Sequence, residues 1–445
     1  MIVPRNRLLI STAAVTIPLA LLGAASPESW QILTLVAGGF AAAVLTDAWK
    51  ARRSLAGIGV ELPSVVRTSK NRKAELELRI RNGLLRRRRL RLALDVPPDV
   101  GAHSEEVDMI LPAGSEWSRL TWTCTPVKRG NYLIRSAYVE SVSPLAFWAP
   151  RKTLSVESEI RVYPNLIGDK KAAAVFLNRG AFGRHAVRQT GKGRDFEKLR
   201  EYTPGDSFDE IHWKAAARRA RPITKVFQIE RTQEVYAVID ASRLSARDAG
   251  GDSILERLIT AGLVLGLAAE RQGDLFGLLT FSDKIETFVR ARNGKIHYGA
   301  CRDALYRLEP RPVTPDFDEL CSFLRLRLRR RALIVFLTSL DDPAIAESFM
   351  RNVDLIRRQH LILVNMIRPP GAAPLFTPAR SQRQEDVSSV DEIYQRLGGH
   401  MRWYRLKQLE KTFQRQGVRF SLLEHEGLAA ELISQYLTVK RRQLL

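Results

Sequence analysis

Cysteine is scarce in this sequence: Cys124, Cys301 and Cys321 are the full set. Three is an odd number, and no pair stands in a C-x-x-C spacing. Both facts argue against a disulfide framework and against a thiolate zinc site; reduced, cytosol-facing thiols fit the pattern. Histidine is equally thin, seven in 445 residues with no H-E-x-x-H, so a zinc-protease helix is excluded. The glycines Gly191 and Gly193 flank Lys192, but no G-K-[ST] ending follows, so a Walker phosphate loop is absent. Acid is the under-represented charge: 48 Asp and Glu stand against 70 Lys and Arg, a formal net charge of +22. Such a balance suits anionic partners, whether nucleic acid, a lipid surface or an acidic protein. A base composition rich in arginine codons produces the same bias. The arginines spread over every segment instead of forming a basic stripe with interleaved aromatics, so nucleic acid is not the expected partner.

Long apolar runs are confined to the N-terminus. Leu8 to Ala25 and Trp30 to Thr46 are free of charge, and each is about the length that crosses a bilayer. Ser26-Pro27-Glu28-Ser29 between them reads as a tight turn, giving a helical transmembrane hairpin over residues 1–53. Arg5 and Arg7 precede the first span, and Lys50, Arg52 and Arg53 follow the second. The excess of cations on that side places both ends, and everything after Arg53, in the cytoplasm at the inner (cytoplasmic) membrane. Trp30 and Trp49 stand where interfacial aromatics belong. A cleavable signal peptide ending at "LGAAS" is disfavoured by the second apolar span.

Residues 57–165 alternate apolar and polar side chains in short runs. "AELELRIRNG", "RLRLALDVPP" and "SEIRVYPN" have the period of half-buried strands. "LTWTCTPVKRGNYLIRSAYVES" holds two such runs around a hairpin-type break at Arg129-Gly130-Asn131. Together they predict a β-sandwich. From 233 to 445 strands and helices alternate, "ALIVFLTSLDDP" being continuous and apolar as a strand buried on both faces is. The helical stretch "SSVDEIYQRLGGHMRWYRLKQLEKTFQRQG" is expected to break at Gly398-Gly399. This grammar gives an open, mostly parallel α/β sheet with helices on both faces, whose working edge is the carboxyl end of the strands. Asp240 and Ser242 follow one such strand, and Asp341 and Asp342 another.

Between the two regions, over 170–232, lies "GKGRDFEKLREYTPGDSFDEIHWKAAARR". Ser207 and Glu210 have the spacing of a capping box. Asp209 and Glu210 suit a helix N-terminus, and Arg218 and Arg219 a C-terminus. His212 beside Trp213 reads as structural. We expect a buried Trp213 with Asp195, Glu197, Arg200, Asp206, Lys214 and Arg218 in a paired network at a junction. A hydrolase using the carboxylates Asp195, Glu197, Asp206 and Asp209 is the alternative. It lacks a partner His at fixed spacing and a Ser elbow.

The stretch "GKGRDFEKLREYTPGD…IHWKAAAR", followed by "ITKVFQIER", resembles the signature of a bacterial and archaeal family, domain-of-unknown-function family fifty-eight. "KRGNYLI…VSPLAFW" and "RVYP" resemble further motifs of that family. Asp195 stands where Glu is usual, Asp209 where a basic residue is expected, and Ala216 where Ser is common. The resemblance implies a membrane hairpin, a β-sandwich and a von Willebrand factor A-like α/β domain. It also implies association with MoxR-type AAA ATPases in the assembly or maturation of other proteins. For the α/β domain it implies a Mg²⁺ site of the Asp-x-Ser-x-Ser type, which suits hard oxygen ligands. Here that motif reads Asp240-Ala241-Ser242-Arg243-Leu244. Leu244 replaces the second Ser, the later loop "NGKIHYGA" offers no Thr, and Asp341 is the remaining distal candidate. The set Asp240, Ser242 and Asp341 is thus a degenerate metal site. A metal-free, cofactor-free and non-enzymatic interaction domain is expected, with Arg243 supplying the positive charge toward an acidic partner.

Overall fold

The structure is a computed structural model that describes residues 1–25, 30–166, 190–204, 207–228, 232–248, 250–375, 390–424 and 427–442. It divides into two compact units, Met1–Asn165 and Leu166–Leu445.

The first unit runs β1 (Ile2–Pro4), α1 (Asn6–Ala25), α2 (Trp30–Arg52), β2 (Ile58–Glu61), β3 (Val65–Ser69), β4 (Ala74–Asn82), β5 (Arg88–Leu94), β6 (Glu106–Leu111), β7 (Trp117–Cys124), β8 (Gly130–Ser141) and β9 (Trp148–Tyr163). Both α1 and α2 are long and apolar enough to cross a membrane. Their apolar side chains are mostly exposed, with Leu21, Ile32 and Leu35 each about two-thirds or more open. Two sheets follow: β1-β9-β8-β5-β6 with β3 added beside β9, and β2-β4-β7. The alternation read in "AELELRIRN" is literal, since every second residue of β4 is buried. Leu76, Leu78, Ile80 and Trp122 from the smaller sheet meet Leu90, Leu92, Ile134 and Ile160 from the larger one in a single core. At roughly 1.5–3 kcal/mol per fully buried large side chain, this core is the main stabilising term of the unit. The predicted hairpin at Arg129-Gly130-Asn131 does not form. Strands β7 and β8 pair with β4 and with β5 and β9, not with each other. Arg129-Gly130-Asn131 is therefore a passage from one sheet to the other, for which Gly130 supplies φ 151°.

The second unit opens with a ribbon of β10 (Thr190–Glu201) against β11 (Ile223–Gln228), with the short α3 (Trp213–Arg219) between them. It continues as β12 (Glu234–Asp240), α4 (Ile254–Arg271), β13 (Leu275–Phe281), β14 (Ile285–Arg292), α5 (Lys295–Leu305), α6 (Phe317–Arg327), β15 (Ala332–Leu337), α7 (Pro343–Arg357), β16 (Leu361–Ile367), α8 (Val390–Arg415), β17 (Arg419–Leu423) and α9 (Leu428–Arg441). The sheet order is β14-β13-β12-β15-β16-β17. All neighbours are parallel except β14, which runs antiparallel at one edge. Alternate residues of β12 feed two layers. Val235, Ala237 and Ile239 pack with α4 and α9. Tyr236 and Val238 pack with Phe317, Phe349 and Phe413 of α6, α7 and α8. Burial on both faces explains why these strands read as unbroken apolar runs.

The helix α8 does not break at Gly398-Gly399; it is continuous over 26 residues. A Cβ at Gly399 would overlap the carbonyl oxygen of Gly371. Close approach of a neighbouring backbone, not helix termination, is what this glycine provides. All three cysteines are free and buried. Burial pushes the thiols of Cys301 and Cys321 up to about 12, so neither forms thiolate near neutrality.

Candidate functional site

The parallel strands deliver their last residues to one edge of the second unit. Asp240 ends β12 and is 1% exposed. One of its carboxylate oxygens accepts from the Ser242 amide at 2.8 Å and the other from the Thr338 hydroxyl at 2.6 Å. Thr338 stands just past β15, whose parallel pairing with β12 brings the two together. Burial raises the Asp240 carboxyl above its ordinary range, against the hydrogen bonds from Thr338 and Ser242 that favour the ionised form. Ser242 is fully buried, and Ser245 donates to its carbonyl at 2.7 Å.

Asp341 is held differently. Arg247 grips it with two parallel bonds of 2.7 and 2.8 Å, the fork geometry that guanidinium and carboxylate share. Burial works against the charged form of Asp341, but the Arg247 bonds and charge outweigh it and bring the carboxyl below its usual value. Arg247 also donates to the Leu244 carbonyl at 3.2 Å, so the 3₁₀ turn Arg243–Ala246 is tied to the connection between β15 and α7. Asp342 caps α7, accepting from the Ala344 amide at 3.0 Å with Pro343 in the first helical position. Arg243 lies half-exposed, 3.6 Å from Asp342. The sequence reading gave Arg243 the task of replacing a cation; beside Asp341 that place belongs to Arg247. Thr338 and Arg247 were both missed. Each is brought in by a different strand or turn, and neither stands in the Asp-x-Ser-x-Ser frame.

A cleft of about 910 Å³ opens beside this edge. Leu340, Met350, Met401 and Leu409 form its apolar wall, while Arg243, Asp341, Asp342 and Arg402 supply charge. Among the described residues, no group of three or more His, Cys, Asp or Glu side chains converges as a metal cage.

The Asp341 clasp has a measurable pH signature. A carboxyl whose folded-state value is lowered stabilises the fold above its unfolded value of about 3.9, and loses that contribution as pH falls through the folded value. Asp341→Asn should cost about 1 kcal/mol at pH 7, since Arg247 is 40% exposed and solvent screens the pair. That difference from the wild type should shrink as urea unfolding is repeated toward pH 3. A deficit that stayed constant with pH would show that the charge on Asp341 contributes nothing.

The charged stretch read between the regions fares differently. Gly191 to Phe196 form part of β10, not a loop, with bulges against β11. Asp195 and Glu197 lie on that strand, while Asp206 lies outside the described residues. Trp213 is 68% exposed, which corrects the expectation of a buried side chain. Its helix spans only seven residues and buries none of them, so no core reaches the indole. Lys214, Arg218 and Asp209 are exposed too, and Arg200 bonds the Thr203 hydroxyl. The capping box does not form, because Ser207 makes no side-chain cap. His212 caps α3 instead, its Nδ1 accepting from the Ala215 amide at 3.0 Å. That bond gives the histidine a structural role at the helix start.

A family described as "Protein of unknown function DUF58" matches residues 198–373. The match begins near the end of β10 and runs past β16, so it includes Asp240, Ser242, Arg247, Thr338 and Asp341 but not the α8 wall of the cleft. Uncharacterized proteins of Mycobacterium tuberculosis and Mycobacterium bovis are 24% identical over 192 residues, 42% of this chain and 59% of theirs. This chain thus spans 59% of the length of those curated relatives. Among solved structures, proximal thread matrix protein 1 of the mussel byssus overlays with a TM-score of 0.28 at 11% identity, covering 47% of this chain and 46% of that one. At that score the likeness carries no argument.

Proposed function

We propose that this chain is a membrane-anchored, non-enzymatic adaptor. Its second unit, read as a von Willebrand A-like domain, binds a protein partner at the carboxyl ends of its parallel strands. The partner we name is a MoxR-type AAA ATPase engaged in assembly or maturation of other proteins. The membrane is the inner one, crossed by α1 and α2, with the β-sandwich and the second unit on its cytoplasmic side. Support for the fold reading comes from the strand order with its single antiparallel edge next to β13. Support for an adaptor, as against an enzyme, comes from how the strand-end groups are engaged. The observation that carries it is the Arg247–Asp341 clasp. The carboxylate that would complete a cation site already faces a guanidinium, and both oxygens of Asp240 accept protein hydrogen bonds. A divalent ion at this edge would compete with the Arg247 guanidinium for Asp341. The edge therefore offers shape, an apolar wall and paired charges, which is what a protein surface recognises.

The test is cation dependence. The full chain in detergent should capture the purified MoxR-type ATPase equally well in EDTA and in millimolar Mg²⁺. Titration with Mg²⁺ or Mn²⁺ should show no saturable micromolar site. Capture that requires Mg²⁺ and is lost in Asp240→Ala would replace the metal-free reading with an ion-bridged one.

A further inference from the structure

Asp47 is an anomaly of α2. It follows a charge-free run of 17 residues, Trp30 to Thr46, yet it is 1% exposed. Its burial comes from the turn between β8 and β9. The Ser143 hydroxyl donates to one Asp47 oxygen at 2.6 Å, and the Leu145 amide donates to the other at 3.0 Å. The turn then follows the helix toward its apolar half. The Trp148 indole donates to the Val44 carbonyl at 3.1 Å, and the Phe147 ring lies edge-on to Phe40 with centroids 6.1 Å apart. From the other side the Arg5 amide donates to the Phe147 carbonyl at 2.9 Å, and β1 pairs with the start of β9.

These contacts fix a depth. Phe40 precedes Asp47 by seven residues, about 10 Å along a helix. If α2 crosses a bilayer with Lys50, Arg52 and Arg53 at the headgroups, Phe147 lies well below them, within a hydrocarbon half-thickness of about 15 Å. The composition of the turn agrees. Ser141 to Pro150 carries no charge, and it is flanked by Glu140 and Arg151, which pair at 2.7 Å. Pro144 points outward, and Leu145 is 50% exposed. Irregular backbone at membrane depth must have its polar groups satisfied. Here the Ser143 amide donates to the Trp148 carbonyl, the Ala146 amide to the Ser143 carbonyl, and the Leu145 amide to Asp47.

We infer that the Ser143–Trp148 turn is a third membrane-inserted element, a wedge seated in the same leaflet as the cytoplasmic half of α2, with Asp47 as its positioning residue. Its occupant is the lipid bilayer: acyl chains meet Leu145 and Pro144, and anionic headgroups meet the collar of Arg5, Arg52, Arg53, Arg151 and Lys152. Arg53 stacked 4.5 Å over the Trp49 ring marks the interfacial level of that collar. The consequence is mechanical. The sandwich is held against the bilayer face instead of swinging on a tether. This inference rests on the reading of α1 and α2 as membrane spans.

The test uses the full chain reconstituted in vesicles of phosphatidylcholine and phosphatidylglycerol. The native thiols are buried, so single cysteines at Leu145, Val36 and Val127 take an environment-sensitive nitrobenzoxadiazole label selectively. Val36 lies within the charge-free run of α2, and Val127 lies beyond the end of β8 far from the turn. The label at 145 should be quenched by lipids carrying a shallow doxyl group, and its quenching by aqueous iodide should be at least fivefold weaker than at 127. Asp47→Ala should raise iodide quenching at 145 at least threefold, while Asp47→Asn, which keeps an acceptor for the Leu145 amide, should restore protection. A label at 145 as open to iodide as that at 127, with 36 still protected, overturns the wedge and leaves the hairpin standing. Protection at 145 from iodide without doxyl quenching also overturns it, since protein and not lipid would then cover the turn. Iodide access at 36 would remove the membrane reading itself, and the wedge with it.

Discussion

Asp274→Ala should lower the unfolding free energy of the second unit by about 3–5 kcal/mol, the range expected when one partner of a buried ion pair is removed. Asp274 stands immediately before β13 and is 1% exposed. Its carboxylate accepts from the Lys440 ammonium at 2.8 Å, from the Gln233 amide at 3.2 Å and from the Tyr436 hydroxyl. Lys440 and Tyr436 are one turn apart on α9, so a single carboxylate pins the last helix to the sheet. The Lys440 side chain is only 15% exposed and, among the described residues, has one other acceptor, the Gln272 carbonyl at 3.2 Å. Without Asp274 its charge is left nearly uncompensated in a poorly solvated place. Burial raises the Tyr436 phenol far above its ordinary range, and the Asp274 charge adds to the effect. The tyrosine is thus a donor at any accessible pH. Tyr436→Phe should cost about 1 kcal/mol, the worth of one hydrogen bond. Chemical denaturation followed by far-UV circular dichroism measures both. A loss under 1 kcal/mol for Asp274→Ala would show that α9 is held by its apolar face alone.

Gly399→Ala should destabilise the chain by about 1–3 kcal/mol, the usual cost of overpacking. Helix propensity alone predicts the opposite sign, a gain of about 1 kcal/mol for Ala over Gly in a helix interior. Sterics win because the new methyl would overlap the Gly371 carbonyl oxygen. That oxygen is backbone, in a turn where Gly371 has φ 76°, and it cannot rotate away as a side-chain tip would. Gly398→Ala is the matched control. No described residue lies within 4 Å of a Cβ there, so it should be neutral or stabilising. Equal behaviour of the two variants in thermal unfolding would contradict the close approach.

What was legible in the sequence was whatever periodicity or chain-local chemistry encodes. The alternation of β4, the unbroken apolar β12 and β15, and the apolar hairpin all follow from which faces are buried. Asp240 and Asp341 were found by their position at strand ends, and β12 and β15 are indeed neighbours. What failed was anything set by a distant partner. Gly398-Gly399 resembles a helix stop unless the approach of Gly371 is known. Arg129-Gly130-Asn131 resembles a hairpin unless the strands on either side are known to join different sheets. Ile2–Pro4 is too short to carry a period, and it forms a strand only because β9 offers an edge. His212 supplants Ser207 as a cap, a choice made by where the chain turns. Asp47 had a signal that went unused. A lone acid at the end of an apolar span, just before a cationic cluster, needs a partner, and the uncharged "SVSPLAFWAP" run was the place to look for it.

On the proposed reading, the strand-end edge of the second unit binds protein through its own charges. The most direct measurement is the affinity of the purified MoxR-type ATPase for the full chain in lipid nanodiscs, wild type against Arg243→Glu. Arg243 is half-exposed beside the cleft, its backbone amide donates to the Val313 carbonyl and its guanidinium lies 3.6 Å from Asp342, so the substitution should leave the melting temperature nearly unchanged. Kd should weaken at least tenfold, about 1.4 kcal/mol. An unaltered Kd in a folded Arg243→Glu chain would contradict that reading and move the binding surface elsewhere.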